Sequence, residues 1–295
     1  MDKNKEKNND LETIFGMNRV MFFVIVALVC ILSISVGIYA SVFYKYKEKD
    51  PFVLGMGIKN TQEEEKLNSL SRDFLKIFTN DVSGNTTLNN IKRLENSKQS
   101  LVYTKDSSNQ EDSDTYKIHV NVPTINISSS NTDRINSQIH RDYWDKVSYI
   151  MDSATTLYDY NVNYKAYLNG HMLSLIINET EVEGSSVQTS KIATYNINLN
   201  NNESLTLKDV LQVKGYTEKE VQDRIYDELK ALNKSDEDLA KTMPSVNVMI
   251  RDLSNEMYKV ENTRNCIVDD QGYLYIIYAY GNTTNTTKID VIIFE

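Results

Sequence analysis

The chain has 295 residues, 40% hydrophobic and 25% charged, with a formal net charge of −9. That length accommodates one or two globular domains, and the acidic balance argues against nucleic acid and against docking on anionic lipid headgroups. Two cysteines, Cys30 and Cys266, are too few for a disulfide framework.

Residues 1–19 form a short polar head with four basic and four acidic side chains. No charged residue occurs from Val20 to Tyr44. An apolar run of about 25 residues is long enough to cross a bilayer with some tilt, and too long for an ordinary signal-peptide core. The sequence therefore predicts one transmembrane helix over residues 20–44. Lysines flank both of its ends, so charge alone leaves orientation nearly tied. The short head sets the expected topology instead: N-terminus cytoplasmic, with the C-terminal bulk outside the cell membrane. All of the surplus negative charge then lies outside. The richness in Asn, Lys, Ile and Ser suits a bacterial chain.

Residues 45–113 read as a linker carrying one amphipathic helix over 61–79, where Leu67, Leu70, Phe74, Ile77 and Phe78 share a face. Residues 81–113 are polar and are expected to be largely irregular. Regular alternation begins at Tyr116, with Ile118, Val120 and Val122 on one side and a stop at Pro123. Ile135, Ile139, Tyr143, Val147 and Ile150 predict a helix over 132–153. Tyr158 to Ala166, an Asn169-Gly170 hairpin turn, and residues 171–183 follow as paired strands. Ala193, Tyr195, Ile197 and Leu199 alternate in the next strand.

After the polar break at 200–204 comes "LTLKDVL", then a helix opened by a Thr217/Glu220 capping box with Tyr216 and Val221 at staple positions. A second helical stretch is expected over 236–259, interrupted at Pro244. "NCIVDD", a Gln271-Gly272 turn, "YLYIIYAY" and "KIDVIIF" close the chain as strands. The fold class is α+β: an antiparallel sheet with helices packed on one face, preceded by the transmembrane helix.

Chemistry-bearing motifs are sparse. His119, His140 and His171 lack metal-ligand spacing, and no nucleophile elbow, phosphate loop or zinc signature is present. No catalytic residue, metal or cofactor is assigned. Glu179, Glu181 and Glu183 alternate, so they share one strand face and offer a cation-attracting strip. Tyr278 and Tyr280 are the candidate aromatic pair on which a glycan would stack. These five are the candidate partner-binding residues, and the expected partner outside is a cationic protein or a cell-wall component.

The phrases "DTYKIHVNVPTI", "INSQI", "YDYNVNYKAYLNGHMLSLIINETEV", "ATYNINLNNNESLTLKDVL", "YLYIIYAY" and "IDVIIF" together resemble the PdaC/RsiV-like extracytoplasmic module. The resemblance covers residues 114–295 and implies an N-terminal half over 114–204 and a C-terminal half over 205–295. RsiV-type members are anti-sigma factors whose outer domain binds lysozyme, whereas PdaC carries the module in front of a polysaccharide deacetylase. This chain departs from the family at Glu183–Val187, in place of its Gly-rich, His-containing turn, and in a head of only 19 residues.

Three functions follow as expectations. The foremost is a single-pass, non-enzymatic envelope-sensing module that binds a ligand or partner outside. The alternatives are an RsiV-like anti-sigma factor, holding a sigma factor through a head helix with Leu11, Ile14, Phe15 and Met17, and an envelope enzyme or accessory to a cell-wall enzyme. If signalling uses proteolysis, as the resemblance implies, the small pair Ala40–Ser41 is the candidate cleavage site. Ala40→Trp should then abolish release of the outer region from intact cells, measured by immunoblot of the medium; undiminished release would place the cut elsewhere.

Overall fold

The computed structural model describes residues 13–14, 17–18, 74–86, 88, 90–112, 114–186, 188–244, 248–280 and 288–295. The chain divides into two units, residues 1–51 and 52–295. In the first, Thr13–Ile14 pairs antiparallel with Met17–Asn18, so the continuous helix expected through Ile14 and Met17 is not formed there. The predicted span 20–44, with Ala40 and Ser41, lies outside the described residues. Among the described residues, no helix is long and apolar enough to cross a membrane.

The second unit is α+β. Its larger sheet has seven strands: β1 (Val82–Thr86), β2 (Val102–Asp112), β3 (Tyr116–Ile125), β4 (Tyr158–Gly170), β5 (Met172–Glu183), β6 (Thr189–Asn198) and β7 (Glu203–Leu205). Spatial order follows the chain from β2 to β7, with β1 lying beside β4. The expected all-antiparallel sheet is corrected here: β3 and β1 both run parallel to β4. The reason lies in the connection. Helix α1 (Ser130–Ile139), a π-helical turn (His140–Trp144) and α2 (Asp145–Ser153) carry the chain back across the sheet between β3 and β4, and such a crossover returns the next strand in the same direction.

Residues 81–113 are corrected as well. Two strands form where an irregular linker was expected. β2 is an edge strand of mostly exposed polar residues, and a strand wetted on both faces shows no apolar alternation in sequence. Upstream, Phe74–Lys76 makes a single 3₁₀ turn, the one described turn of the predicted helix 61–79. Pro123 does not end β3. Pairing of β3 with β4 stops at Val120–Val162, so the missing amide proton costs no bond on that side.

"LTLKDVL" resolves into the end of β7, an N-cap and a helix. Thr206 caps α3 (Leu207–Lys214) with a capping box to Asp209, and Gly215 closes it at φ +79°. Thr217 and Glu220 cap α4 (Glu218–Thr242) in the same way. The expected second helix over 236–259 is not separate: α4 runs through to Thr242, and two 3₁₀ turns at Glu256–Tyr258 and Val260–Asn262 follow. A three-stranded antiparallel sheet ends the chain, with β9 (Leu274–Ala279) between β8 (Asn265–Val268) and β10 (Ile289–Phe294).

Helices do not share one face, contrary to expectation. One core joins Ile135, Ile139, Tyr143, Val147 and Ile150 of α1–α2 to Ile118, Val162, Tyr164, Leu175 and Ile177 of the large sheet. A second joins the two sheets through Tyr167, Ile176 and Ile192 on one side and Ile267, Tyr275, Ile277 and Ile293 on the other. A third packs Val210, Val221, Ile225 and Leu229 of α3–α4 against Leu274, Ile276 and Ile292. The layers are helix, sheet, sheet, helix. The free edge of β8 is satisfied from the large sheet: Cys266 N–H donates to Thr194 Oγ1 (3.1 Å), Val268 N–H to Ser174 Oγ (3.1 Å), and Asn196 Nδ2 donates to the Cys266 carbonyl (2.8 Å).

Phe74 is fully buried in the inter-sheet core, in edge contact with Phe78. Asn80 accepts from Tyr164 N–H, and Asp81 pairs with the buried Lys165. Residues ahead of β2 therefore belong to the packed unit. Phe74→Ala should lower unfolding free energy by about 3–5 kcal/mol, read from the urea midpoint, and a fragment beginning at residue 114 should melt without cooperativity. A cooperative melt of that fragment would show that β1, β2 and the Phe74 turn are dispensable.

Candidate functional site

The glutamates predicted to form an open acidic strip do share one face of β5, the face covered by α1 and α2. There the strand runs past the apolar core to its rim. Glu179 is buried, Glu181 is half-buried and Glu183 is exposed. Lys146 of α2 bonds Glu179 at 2.7 Å and also pairs with Glu181. Lys191 of β6 reaches both carboxylates, at 3.1 and 2.9 Å. Tyr158 Oη donates to Glu181 at 2.8 Å, and the Lys146 ammonium stands 4.8 Å from the centre of the Tyr160 ring. Two lysines match two glutamates, so the free acidic strip is corrected to a neutral rim cluster that ties α2 to β5 and β6.

Tyr278 and Tyr280 are also inside, at 3% and 1% exposure. The stackable surface pair is corrected: both rings face α4 and the 3₁₀ turns. Tyr278 Oη lies 3.1 Å from Thr263 Oγ1, and Tyr280 Oη donates to Asp290 at 2.8 Å. Asp290, the second residue of β10, takes a two-pronged bond from Arg251, which also reaches Asp236 at 2.7 Å. Lys288 pairs with Asp236 as well. This buried network fastens the segment after α4 to the last strand. Its partners are mutually satisfied, and it is a structural clamp.

Sequence reasoning missed a cleft lined by residues of β2, β3 and the helical crossover. A concavity of about 350 Å³ opens between β2–β3 and the π turn after α1. Both of its walls carry an inserted residue. In β2 the register shifts between Thr104 and Asp106 opposite Val122–Pro123, leaving Lys105 as a β-bulge. In the helix, the chain widens to a π turn at His140–Trp144. That turn keeps Tyr143 in the core, where its carbonyl accepts from Tyr160 Oη, while His140 and Arg141 line the cleft. Val122 and Pro123 supply an apolar floor.

The polar groups of the cleft divide into spent and unspent. Asn136 Nδ2 donates to the Ile125 carbonyl, and Asn136 Oδ1 accepts from Ile125 N–H, anchoring helix to strand. His140 Nδ1 lies 3.1 Å from Asp145 Oδ1, and its Nε2 lies 3.9 Å from Asp106 Oδ2. Among the described residues, Lys105 and Arg141 have no carboxylate within ion-pair distance. Nothing in the sequence flagged them, since neither a β-bulge nor a π turn has a residue signature. The remaining histidines lie elsewhere: His119 Nδ1 sits 2.6 Å from Asn109 Oδ1, and His171 is exposed in the Gly170–His171 turn. Asp269–Gly272 is a hairpin turn in which the Asp269 carboxylate accepts from the Gln271 and Tyr273 amides.

No family model and no curated protein matches the chain. Solved structures to which it is similar are DUF3298 family proteins. One, from Pseudomonas aeruginosa PAO1, is 10% identical with a TM-score of 0.37, over 66% of this chain and 86% of that chain. Another, from Bacteroides fragilis NCTC 9343, is 15% identical with a TM-score of 0.36, over 60% and 80% of the respective chains.

The rim cluster carries a pH signature. Burial pushes the Glu181 carboxyl up, but hydrogen bonds from Lys146, Lys191 and Tyr158 outweigh it and bring the pKa from 4.5 to about 2. A folded-state pKa below the unfolded one contributes stability that is full above about pH 4.5 and is lost as pH falls toward 2. Glu181→Gln should flatten the fall of the urea midpoint between pH 5 and pH 2. It should also lower stability at pH 7, because Lys146 and Lys191 lose a partner. An unchanged acid slope would show that the cluster does not couple protonation to folding.

Proposed function

We propose that the chain is a single-pass bacterial envelope protein whose C-terminal unit stands outside the membrane and binds a cell-wall component without transforming it. The observation that carries this reading is the cleft between the β2 bulge and the π turn. It is open and preformed, at the small end of the ligand-pocket range. It pairs an apolar floor with two charged groups, Lys105 and Arg141, that have no ion-pair partner among the described residues. The uncharged run 20–44 supports membrane attachment, and the resemblance of residues 114–295 to PdaC/RsiV-like modules supports an extracytoplasmic setting. The non-enzymatic part of the proposal is supported by the cleft's single lining carboxylate, Asp106, which lies beside His140.

Neutralisation of Glu179 and Glu181 turns the partner reading away from a cationic protein at the β5–β6 hairpin and toward the cleft. Two measurements test this function. Protease added to intact cells should digest residues beyond the span and spare the head. The full chain, held in neutral detergent, should co-sediment saturably with isolated cell walls. A protected C-terminal unit, or walls that leave the chain in the supernatant, would reject it.

A further inference from the structure

Resting on this binding-module reading, we propose that the cleft is an oxyanion receptor: Lys105 and Arg141 bind a carboxylate or phosphate carried on a sugar-sized body that lies against Val122 and Pro123. The argument begins with charge. The chain carries 41 acidic side chains against 32 basic ones, so a cation has a good chance of finding a carboxylate. Lys146, Lys165, Lys191, Lys208, Lys219, Arg224 and Arg251 all do so. Lys105 and Arg141 do not, among the described residues, and neither do Lys98, Lys117 and Arg264; what sets Lys105 and Arg141 apart is that both line one cleft.

The local geometry keeps them that way. Asp106, the carboxylate that lines the cleft, has its Oδ2 3.9 Å from His140 Nε2, while Asp145 meets the other ring nitrogen at 3.1 Å. Asn136 is fully occupied with the Ile125 backbone, and Ser137 Oγ donates to the Asp133 carbonyl. The cations left to meet a ligand are therefore one ammonium and one guanidinium, set over the apolar floor beside Asp106 and Thr124. A guanidinium offers paired donors in a plane, which match the two oxygens of a carboxylate or phosphate. An ammonium adds a point charge from the opposite wall. Val122 and Pro123 present hydrocarbon, which suits the apolar face of a sugar ring better than a bare ion.

Each wall is built by an insertion. Without the β-bulge, Lys105 would pair in register across from β3. Without the π turn, residues after Ile139 would rotate by the ordinary helical angle, so Arg141 could not share the cleft wall with His140 while Tyr143 remains in the core. Both distortions cost backbone regularity and are fixed by burial on their inner sides, at Tyr143 and Val122. Two independent insertions thus converge on one concavity and deliver one cation each.

The test is titration of the full chain in neutral detergent, followed by calorimetry and by amide chemical shifts of selectively labelled lysine and arginine. Three probes are used: N-acetylmuramic acid, glycerol 3-phosphate and the uncharged N-acetylglucosamine. At least one anionic probe should bind, with N-acetylglucosamine at least tenfold weaker. Preference for the muramic acid assigns the site to a carboxylated wall sugar, and preference for glycerol 3-phosphate to a phosphate-bearing polymer. Lys105→Ala and Arg141→Ala should each weaken the preferred probe by roughly tenfold, as expected for losing one charge-assisted bond. Arg141→Lys should fall between wild type and Arg141→Ala. Both side chains are exposed, so unchanged thermal melting will certify folding. Equal binding of charged and uncharged sugars, no binding of any probe, or full affinity in the double alanine variant would overturn the assignment. Cell-wall co-sedimentation that survives such a result would leave the binding-module function standing and move its site elsewhere.

Discussion

The last two strands are apolar on both faces, and the architecture follows from that. Leu274, Ile276 and Tyr278 point one way, while Tyr273, Tyr275 and Ile277 point the other, and every residue of β9 and β10 is buried. A sheet with one wet face does not tolerate this pattern. The three-stranded sheet must therefore be covered twice, by the large sheet on one side and by α3–α4 on the other. Its one acid, Asp290, becomes acceptable inside such a layer because Arg251 and Tyr280 satisfy both carboxylate oxygens. Removing a single member would leave a buried charge unpaired, which is far costlier than never having built the pair. Burial thus dictates the clamp, and the clamp in turn fixes the otherwise irregular segment around residues 248–264.

The same requirement reaches upstream. The face of the large sheet that meets β9 and β10 is wider than its own strands can fill, and Phe74 with Ile77 and Phe78 completes it. Gly84 shows how tight this region is: at φ +88°, its position would bring an added Cβ to 2.1 Å from the Leu168 carbonyl oxygen and 2.8 Å from Asp270 Cβ. A side chain there would part β1 from β4. The unit is therefore closed by residues that precede its first obvious strand.

Legibility in the sequence tracked how strictly each element is divided between oil and water. The half-buried strands β3 to β6 and the capped helix α4 were readable, because alternation and capping boxes are local signals; the hairpin expected at Asn169-Gly170 does form, but its turn is Gly170–His171, one residue later. β1 and β2 were not, since their partners rather than their own side chains define them. The spacing of Glu179, Glu181 and Glu183 correctly put them on one face. What spacing alone does not carry is where the cover of α2 ends, so two of the three proved to be paired at its rim. Tyr278 and Tyr280 misled for a related reason: a tyrosine on a strand looks the same whether its hydroxyl meets water or a buried aspartate.

The cleft was the least legible part because it is made of departures from periodicity. A β-bulge and a π turn each shift the phase of one element by a single residue, and sequence periodicity averages such a shift away. Their physical origin is nonetheless plain in the fold. The crossover from β3 to β4 carries α1 and α2 over a sheet whose first strands diverge: β3 leaves β4 after Val120, and β1 takes its place at Ala166. Asn136 holds α1 to the backbone of Ile125, and the cleft opens beside that anchor, bounded by the two phase shifts. A gap lined only by hydrocarbon would collapse or bind unselectively, and one lined by paired ions would be inert. In this gap, among the described residues, Lys105 and Arg141 stand without a carboxylate partner over an apolar floor.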